Sequence, residues 1–233
     1  MAQEAAGVAR LAAVLADETR ATMLLALLDG RAFTAGELAR RAGVAPSTAS
    51  EHLDRLLAAG LLTERRQGRH RYVQLTDGAT AHLVEDLVSH AGGAGVRPPT
   101  TLRAASARAA LARGRTCYDH LAGRLGVDIT DAMTAAGLLS QRTGFSVTDE
   151  GCAWLIDRVG VDPAALRATR RPLARPCLDW TERRTHLGGA AGAALCARLL
   201  AARWVERIGS GRAVRLTPAG ANALADLLGR PIR

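Results

Sequence analysis

The sequence predicts a mainly α fold in two domains. Three observations carry this reading. Apolar residues recur at helical spacing through most of the chain, a basic turn separates two strand-like runs within residues 61–75, and three Gly and two Pro punctuate residues 92–99. Hydrophobic content of 48% and charged content of 23% are ordinary for a globular chain, and 233 residues suffice for two cores. Aromatics are only 3%, so aliphatic side chains and Ala must fill those cores.

Residues 4–16 read as a first helix with Val8, Leu11, Ala12 and Leu15 on one side. Asp17 is placed to cap a second, apolar helix over 18–28. Thr34-Ala35-Gly36-Glu37 is a capping box, a hydroxyl followed three residues later by a carboxylate, and opens a short helix that Gly43 ends. Pro46 suits the first position of the next helix, 46–59. There Ala49, Leu53, Leu56 and Leu57 make a buried face, while Ser47, Thr48, Ser50, Glu51, His52 and Arg55 supply hydrogen-bonding groups elsewhere on the helix. Gly60 stops it. Leu61–Glu64 and Arg71–Leu75 then read as strands around Arg65-Arg66-Gln67-Gly68-Arg69-His70, with Gly68 at the turn.

Helix, turn, helix and basic hairpin in that order predict a winged helix-turn-helix over residues 1–92. Guanidinium groups pair bidentately with phosphate oxygens, so Arg65, Arg66, Arg69 and Arg71 suit a wing on a nucleic-acid backbone. Ser47, Thr48, Ser50, Glu51, His52 and Arg55 suit base edges in the major groove of double-stranded DNA.

Leu15-Ala16-Asp17-Glu18-Thr19-Arg20, Asp29-Gly30, Ser50-Glu51-His52-Leu53, Ala59-Gly60-Leu61 and Gly68-Arg69-His70-Arg71-Tyr72 together resemble the arsenic-repressor (ArsR) family of bacterial winged-helix regulators, over roughly residues 8 to 91. The resemblance implies a homodimeric repressor that sits on operator DNA and is released by an inducer, with the first helix and the helix after Asp77 at the dimer interface. Glu51 departs from the family's usual basic residue or His, and its carboxylate suits a cytosine amino group. The family's Cys-x-Cys metal site has no counterpart between Phe33 and Ala39. Of its last-helix zinc site only Asp77 and His90 remain, with Ala79 and Gly93 in the other two places.

All 31 basic residues are Arg, and the net charge is +9. Residues 1–95 carry ten Arg against eleven acids; residues 96–233 carry 21 Arg against eleven acids. The second half is therefore the basic one, and its scattered arginines read as a solvated surface. No apolar run reaches the ~18 residues of a membrane span, and no leader pattern precedes residue 8, so a cytoplasmic protein with reduced cysteines is expected.

Residues 101–233 are predicted to form a helical C-terminal domain with small winged-helix-like β-hairpins, serving as an effector-sensing or dimerisation domain. Leu56–Thr63 with Val73–Gly78, Met133–Ser140 with Phe145–Gly151, and Leu199–Glu206 with Val214–Gly220 share one pattern: helix end, hairpin, Thr-capped helix. Cys117 and His120 are expected on one face of a helix over 116–125, and Cys177, Asp179, Glu182 and His186 lie together in 175–186. Thiolate and imidazole suit a thiophilic metal ion such as zinc, which makes Cys117, His120, Cys177 and His186 the candidate metal ligands. The same cysteines and His186 also read as ordinary buried residues. Two further inducers fit the segment. One is a small molecule in an apolar pocket lined by Trp180, Trp154 and Trp204; the other is an oxidant acting on Cys117 or Cys177. A thiol-dependent enzyme, or an interaction module that does not bind DNA, is the rival class. No nucleophile elbow, phosphate loop or HExxH supports an enzyme, so none is expected.

Overall fold

The structure is a computed structural model describing residues 1–68, 70–91, 101–142, 144–167, 171–209 and 211–232. It divides into two compact units, Met1–Val84 and Glu85–Arg233. The Gly/Pro stretch expected as the boundary, residues 92–99, lies outside the described residues; the division itself falls within a helix.

The first unit contains α1 (Ala2–Leu15), α2 (Glu18–Leu27), β1 (Phe33–Thr34), α3 (Ala35–Ala42), α4 (Pro46–Ala58), β2 (Leu62–Gln67), β3 (His70–Leu75) and the start of α5 (Gly78–Ala91). Each boundary has a chemical cause. Asp17 accepts from the Arg20 amide at the start of α2. Thr34 and Glu37 make the reciprocal capping box on α3, and Gly43 ends that helix at a left-handed φ of 68°. The sheet has order β1-β3-β2, with the short β1 a strand that sequence spacing did not reveal. Met23, Leu24, Leu27, Leu38, Leu53, Leu56, Val73 and Leu75 are buried together as its core. Arg20 is buried too. Its guanidinium donates to the Val14 and Ala13 carbonyls, which satisfies the open end of α1.

The second unit runs α6 (Leu102–Arg113), β4 (Arg115–Cys117), β5 (His120–Ala122), α7 (Gly123–Ala135), β6 (Leu139–Ser140), β7 (Ser146–Val147) and α8 (Asp149–Ala153), whose last turns, Trp154–Val159, are π-helical. It continues α9 (Pro163–Arg167), β8 (Arg175–Leu178), β9 (Thr185–Gly188), α10 (Gly189–Ala201), β10 (Val205–Arg207), β11 (Val214–Leu216) and α11 (Pro218–Leu228). Its core joins Leu125, Ile129, Met133, Leu155, Leu195, Leu199 and Leu224, among others.

The three helix–hairpin–helix patterns are present, except that the helix after the first hairpin is capped by Asp77, which accepts from the Thr80 amide, and not by a threonine; one device closes each. Gly60, Gly137 and Arg203 follow the three helices with φ of 72°, 75° and 57°. Their carbonyls accept from the hydroxyls of Thr76, Thr148 and Thr217. The amides of the same threonines donate to Leu61, Leu138 and Trp204. Each threonine thus ties the residue after the hairpin to the residues before it.

The expected helix over 116–125 is corrected. Residues 115–122 form the hairpin β4–β5, and helix begins only at Gly123. Tyr118 turns the chain with φ 58°, which a right-handed helix cannot accommodate, and β4 gains a further edge by bridging to Ala213. Cys117 and His120 are neighbours across two strands instead of along one helix.

Candidate functional site

The candidate DNA-reading face is built on α4. Its Ala49, Leu53 and Leu56 are buried, which turns Ser47, Glu51 and Arg55 outward to solvent. Thr48 and Ser50 are half-buried, and the Ser50 hydroxyl donates to the Pro46 carbonyl at 3.0 Å. His52 lies beside the buried stripe. Its Nδ1 is 3.6 Å from Asp17 and 3.3 Å from Arg20, so it faces α2 and steadies α4 from within. The sequence reading places it toward the bases.

In the wing, Arg65 and Arg66 are exposed on β2, opposite Tyr72 and Arg71. Arg71 is already engaged, 2.8 Å from Asp54 on α4 and bonded to Glu64 on β2. The Asp54 carboxylate, then Glu64, hold its pKa above the ordinary guanidinium value. Arg71 therefore locks the wing to α4, and the solvated cations are Arg65 and Arg66. Arg69 lies outside the described residues.

The second site lies in the second unit. Cys117, His120, Cys177 and His186 are all buried, and one ligand atom from each lies within 4.8 Å of all the others. Cys117 pairs with His120 across β4–β5, and Cys177 with His186 across β8–β9. The two sulfurs are 3.8 Å apart, and the imidazole rings stack at 5.1 Å between centroids. The hydrogen bond shared with Cys117 holds the Cys177 pKa far below the usual thiol range, with His120 and His186 adding to the effect against burial. Cys117 is driven the other way, by that same hydrogen bond and by burial. Burial pushes His120 down, but Asp119 and Cys177 outweigh it and raise its pKa to about 9.

Around these four stands a set of charged residues, of which Asp119 and Arg171 have no place in the sequence reading. Asp119 lies 3.3 Å from His120 Nδ1 and is held in turn by Arg171 at 2.6 Å. Asp179 and Arg115 form a fully buried pair at 2.9 Å. Asp179 also accepts from the Gly123, Thr181 and Glu182 amides and the Thr181 hydroxyl. Burial alone would raise the Asp179 pKa, but Arg115 and these donors hold it low. Neither ring nitrogen of His186 has a hydrogen-bond partner, and its Nδ1 is 3.8 Å from Asp179. Glu182 lies apart from the cluster, 4.0 Å from Arg124.

The tryptophans do not share a pocket. Trp154 is in the main core and donates to the Leu227 carbonyl, and Trp204 packs on that core. Trp180 instead stacks on the Arg115 guanidinium, 4.8 Å from the ring centroid. A cavity of about 610 Å³ lies in the first unit among Arg10, Leu11, Val14, Arg20 and Arg55. Cys196 is buried among apolar residues, which pushes its pKa up to about 12, an inert structural thiol.

Comparison with known proteins matches residues 15–65 to the helix-turn-helix domain family. Over 214 residues the chain is 41% identical to the uncharacterized HTH-type transcriptional regulator YdfF of Bacillus subtilis, covering 91% of this chain and 93% of that one. It is 40% identical over 80 residues to the HTH-type transcriptional regulator CmtR of Mycobacterium bovis, covering 34% of this chain and 67% of that one. Among solved structures, the homodimeric winged helix-turn-helix DNA-binding domain Mb0332 of Mycobacterium bovis is 28% identical, covering 41% of this chain and 87% of that one, with a TM-score of 0.36. The match to YdfF is long enough to extend over both units of this chain.

Proposed function

The chain belongs to the ArsR-like winged helix-turn-helix transcriptional regulators, and on that premise we propose that it is a homodimeric repressor released from operator DNA by an inducer acting in residues 101–233. One observation carries the DNA part. α4 buries one stripe, presents Ser47, Glu51 and Arg55 outward, and is followed by a wing with exposed Arg65 and Arg66. α4 enters the major groove, with Ser47, Thr48, Ser50 and Glu51 toward the bases, while the wing arginines and Arg69 take adjacent phosphates.

The homodimer has its own support. α1 buries none of its residues, and Val8 on its apolar side is 70% exposed, as a helix waiting for a second copy would be. The inducer reading rests on the Cys117, His120, Cys177 and His186 cluster, which suits a thiophilic metal ion such as zinc. An oxidant joining Cys117 to Cys177 is the second reading, supported by the two sulfurs being neighbours, although at 3.8 Å they would have to close to about 2.05 Å to bond. With transcriptional regulators as relatives, turnover is not part of this proposal. Among the described residues no helix is long and apolar enough to cross a membrane.

Selection of binding sites from a random duplex library, followed by footprinting, tests the DNA reading. The expected product is a near-palindrome with half-sites one helical turn apart, about 10 bp, or a multiple of it. A single protomer protecting one asymmetric half-site would overturn the homodimer.

A further inference from the structure

We infer that the second unit is a duplicated hairpin–helix–hairpin–helix module, that each copy supplies one cross-strand Cys/His pair, and that the four side chains hold a single thiophilic divalent ion of the zinc class in tetrahedral coordination, stapling the copies together. This deepens the reading of the cluster as the inducer's target and rests on that reading only for its effect on DNA.

The duplication is visible residue by residue. β4, β5, α7, β6, β7 and α8 are followed in the same order by β8, β9, α10, β10, β11 and α11. The first copy reads His120-Leu121-Ala122-Gly123-Arg124-Leu125-Gly126, and the second reads His186-Leu187-Gly188-Gly189-Ala190-Ala191-Gly192. The interval from His120 to His186 is the same as from Gly126 to Gly192 and from Ala136 to Ala202. Both helices have the same need for glycine. A Cβ on Gly126 would lie 2.4 Å from the Leu121 carbonyl oxygen, and one on Gly192 would lie 2.3 Å from that of Leu187.

The copies also embrace. α10 of the second packs on β5 of the first, and α7 of the first packs on β9 of the second. At Gly192 a Cβ would stand 3.2 Å from His120 Cβ, and at Gly126 one would stand 3.7 Å from His186 Cβ. Each copy's helix therefore backs the other copy's histidine. The four ligands come together only because both copies are present.

The geometry selects the ligand. In a tetrahedral site with Zn–S bonds of about 2.3 Å the two sulfurs sit about 3.8 Å apart. The observed separation is 3.8 Å. A disulfide would need about 2.05 Å, so the two sulfurs would have to approach each other. His120 turns Nδ1 to the Asp119 carboxylate, the arrangement that orients a histidine to bind metal through its other nitrogen. His186 is fully buried with no hydrogen-bond partner at either nitrogen, a costly state that an ion would relieve. Two sulfurs and two imidazoles suit zinc-class ions over calcium or magnesium, which prefer oxygen. With four buried protein ligands the site is closed, as structural sites are, and leaves no position for a substrate.

Cobalt(II) is the probe. Reduced, metal-stripped full-length protein is titrated with Co²⁺, followed by Zn²⁺. The expected result is an intense visible spectrum of tetrahedral cobalt with a thiolate charge-transfer band, saturating at one ion per chain and erased by zinc. Cys117→Ser and Cys177→Ser should each reduce the charge-transfer band, and Cys152→Ser with Cys196→Ser should leave it unchanged. Because a serine variant can misfold, His186→Cys supplies a second arm: it should keep tetrahedral cobalt and raise the charge-transfer intensity by about half, as three thiolates replace two. A weak octahedral spectrum in the wild-type protein, or a band that survives both Cys117→Ser and Cys177→Ser, would overturn the site. Operator binding is measured on the same samples. Tetrahedral cobalt with unchanged DNA affinity would leave the site standing and sink its role as inducer target. DNA release by metal without that spectrum would do the reverse.

Discussion

In the first unit the helix before the hairpin, α4, buries only Ala49, Leu53 and Leu56 and leaves a polar face in solvent. In the second unit the helix in the same position, α10, buries Gly189, Ala190, Ala191, Gly192, Ala194, Leu195, Cys196 and Leu199. The hairpins that follow are closed by the same threonine device, yet only one helix has a face free to meet DNA. Shared topology therefore does not make a reader; exposure does. The charges follow the same division. Arg65 and Arg66 are solvated, whereas Arg115 and Asp179 are wholly buried beside two cysteines and two histidines.

The largest expected effect tests that contrast in stability. Arg115→Met leaves the Asp179 carboxylate buried without its cation, and loss of one partner of such a pair costs about 3–5 kcal/mol. Asp54→Asn removes an ion pair to Arg71 at the surface, and exposed pairs are worth about 1 kcal/mol or less. Urea unfolding of both variants measures the difference. Equal losses would mean that burial does not separate the two units as argued.

The wing supplies the next test, read on DNA. Arg65→Gln with Arg66→Gln should weaken binding to all sequences and lower the slope of log affinity against log salt by about 0.9 per lost phosphate contact. Stability should change by only about 0.5 kcal/mol, since both side chains are solvated. Arg71→Gln should behave differently, costing stability as well, because Arg71 ties β3 to Asp54 and Glu64. An unchanged salt slope in the double variant would remove the wing from the phosphate backbone.

Most of the first unit was legible in the sequence because its signals are local. A capping box, Pro46 at a helix start and Gly68 at a turn each act within a few residues. The four candidate ligands were also legible as residue types, but the route by which they meet was not. Spacing of three suggested a helix through Cys117 and His120, whereas a hairpin was chosen by partners far away, including Ala213 and the buried Asp179. The partners of His52 and Arg71 were not legible for the same reason. Asp17, Arg20, Asp54 and Glu64, which claim them, sit on other elements. Asp119 went unassigned because nothing in a lone aspartate tells that it will stand beside a buried histidine.

The smallest expected effect compares helix caps. Thr34 and Thr217 both cap a helix by accepting from the third residue on, but that residue is Glu37 in the first unit and Gly220 in the second. Gly220 is required, because a Cβ there would lie 2.1 Å from the Trp204 carbonyl oxygen. Only the first cap therefore carries a titratable group. The Thr34 amide and then its hydroxyl bond the Glu37 carboxylate and hold its pKa below the ordinary value. A carboxyl with a lowered folded pKa contributes stability above its unfolded pKa, about 4.3, and loses it as pH falls through the folded value. Glu37→Gln should thus cost about 0.3–1 kcal/mol at neutral pH, the usual worth of a carboxylate at a helix start, and nothing once the carboxyl is protonated. Thr217→Ala should cost about 1 kcal/mol at every pH, because its cap is a hydroxyl alone. Unfolding free energies from pH 7 to pH 3 separate the two. If the gap between wild type and Glu37→Gln stays constant across that range, the carboxylate's charge has no part in the cap, and the two units close their helices by the same neutral hydrogen bond.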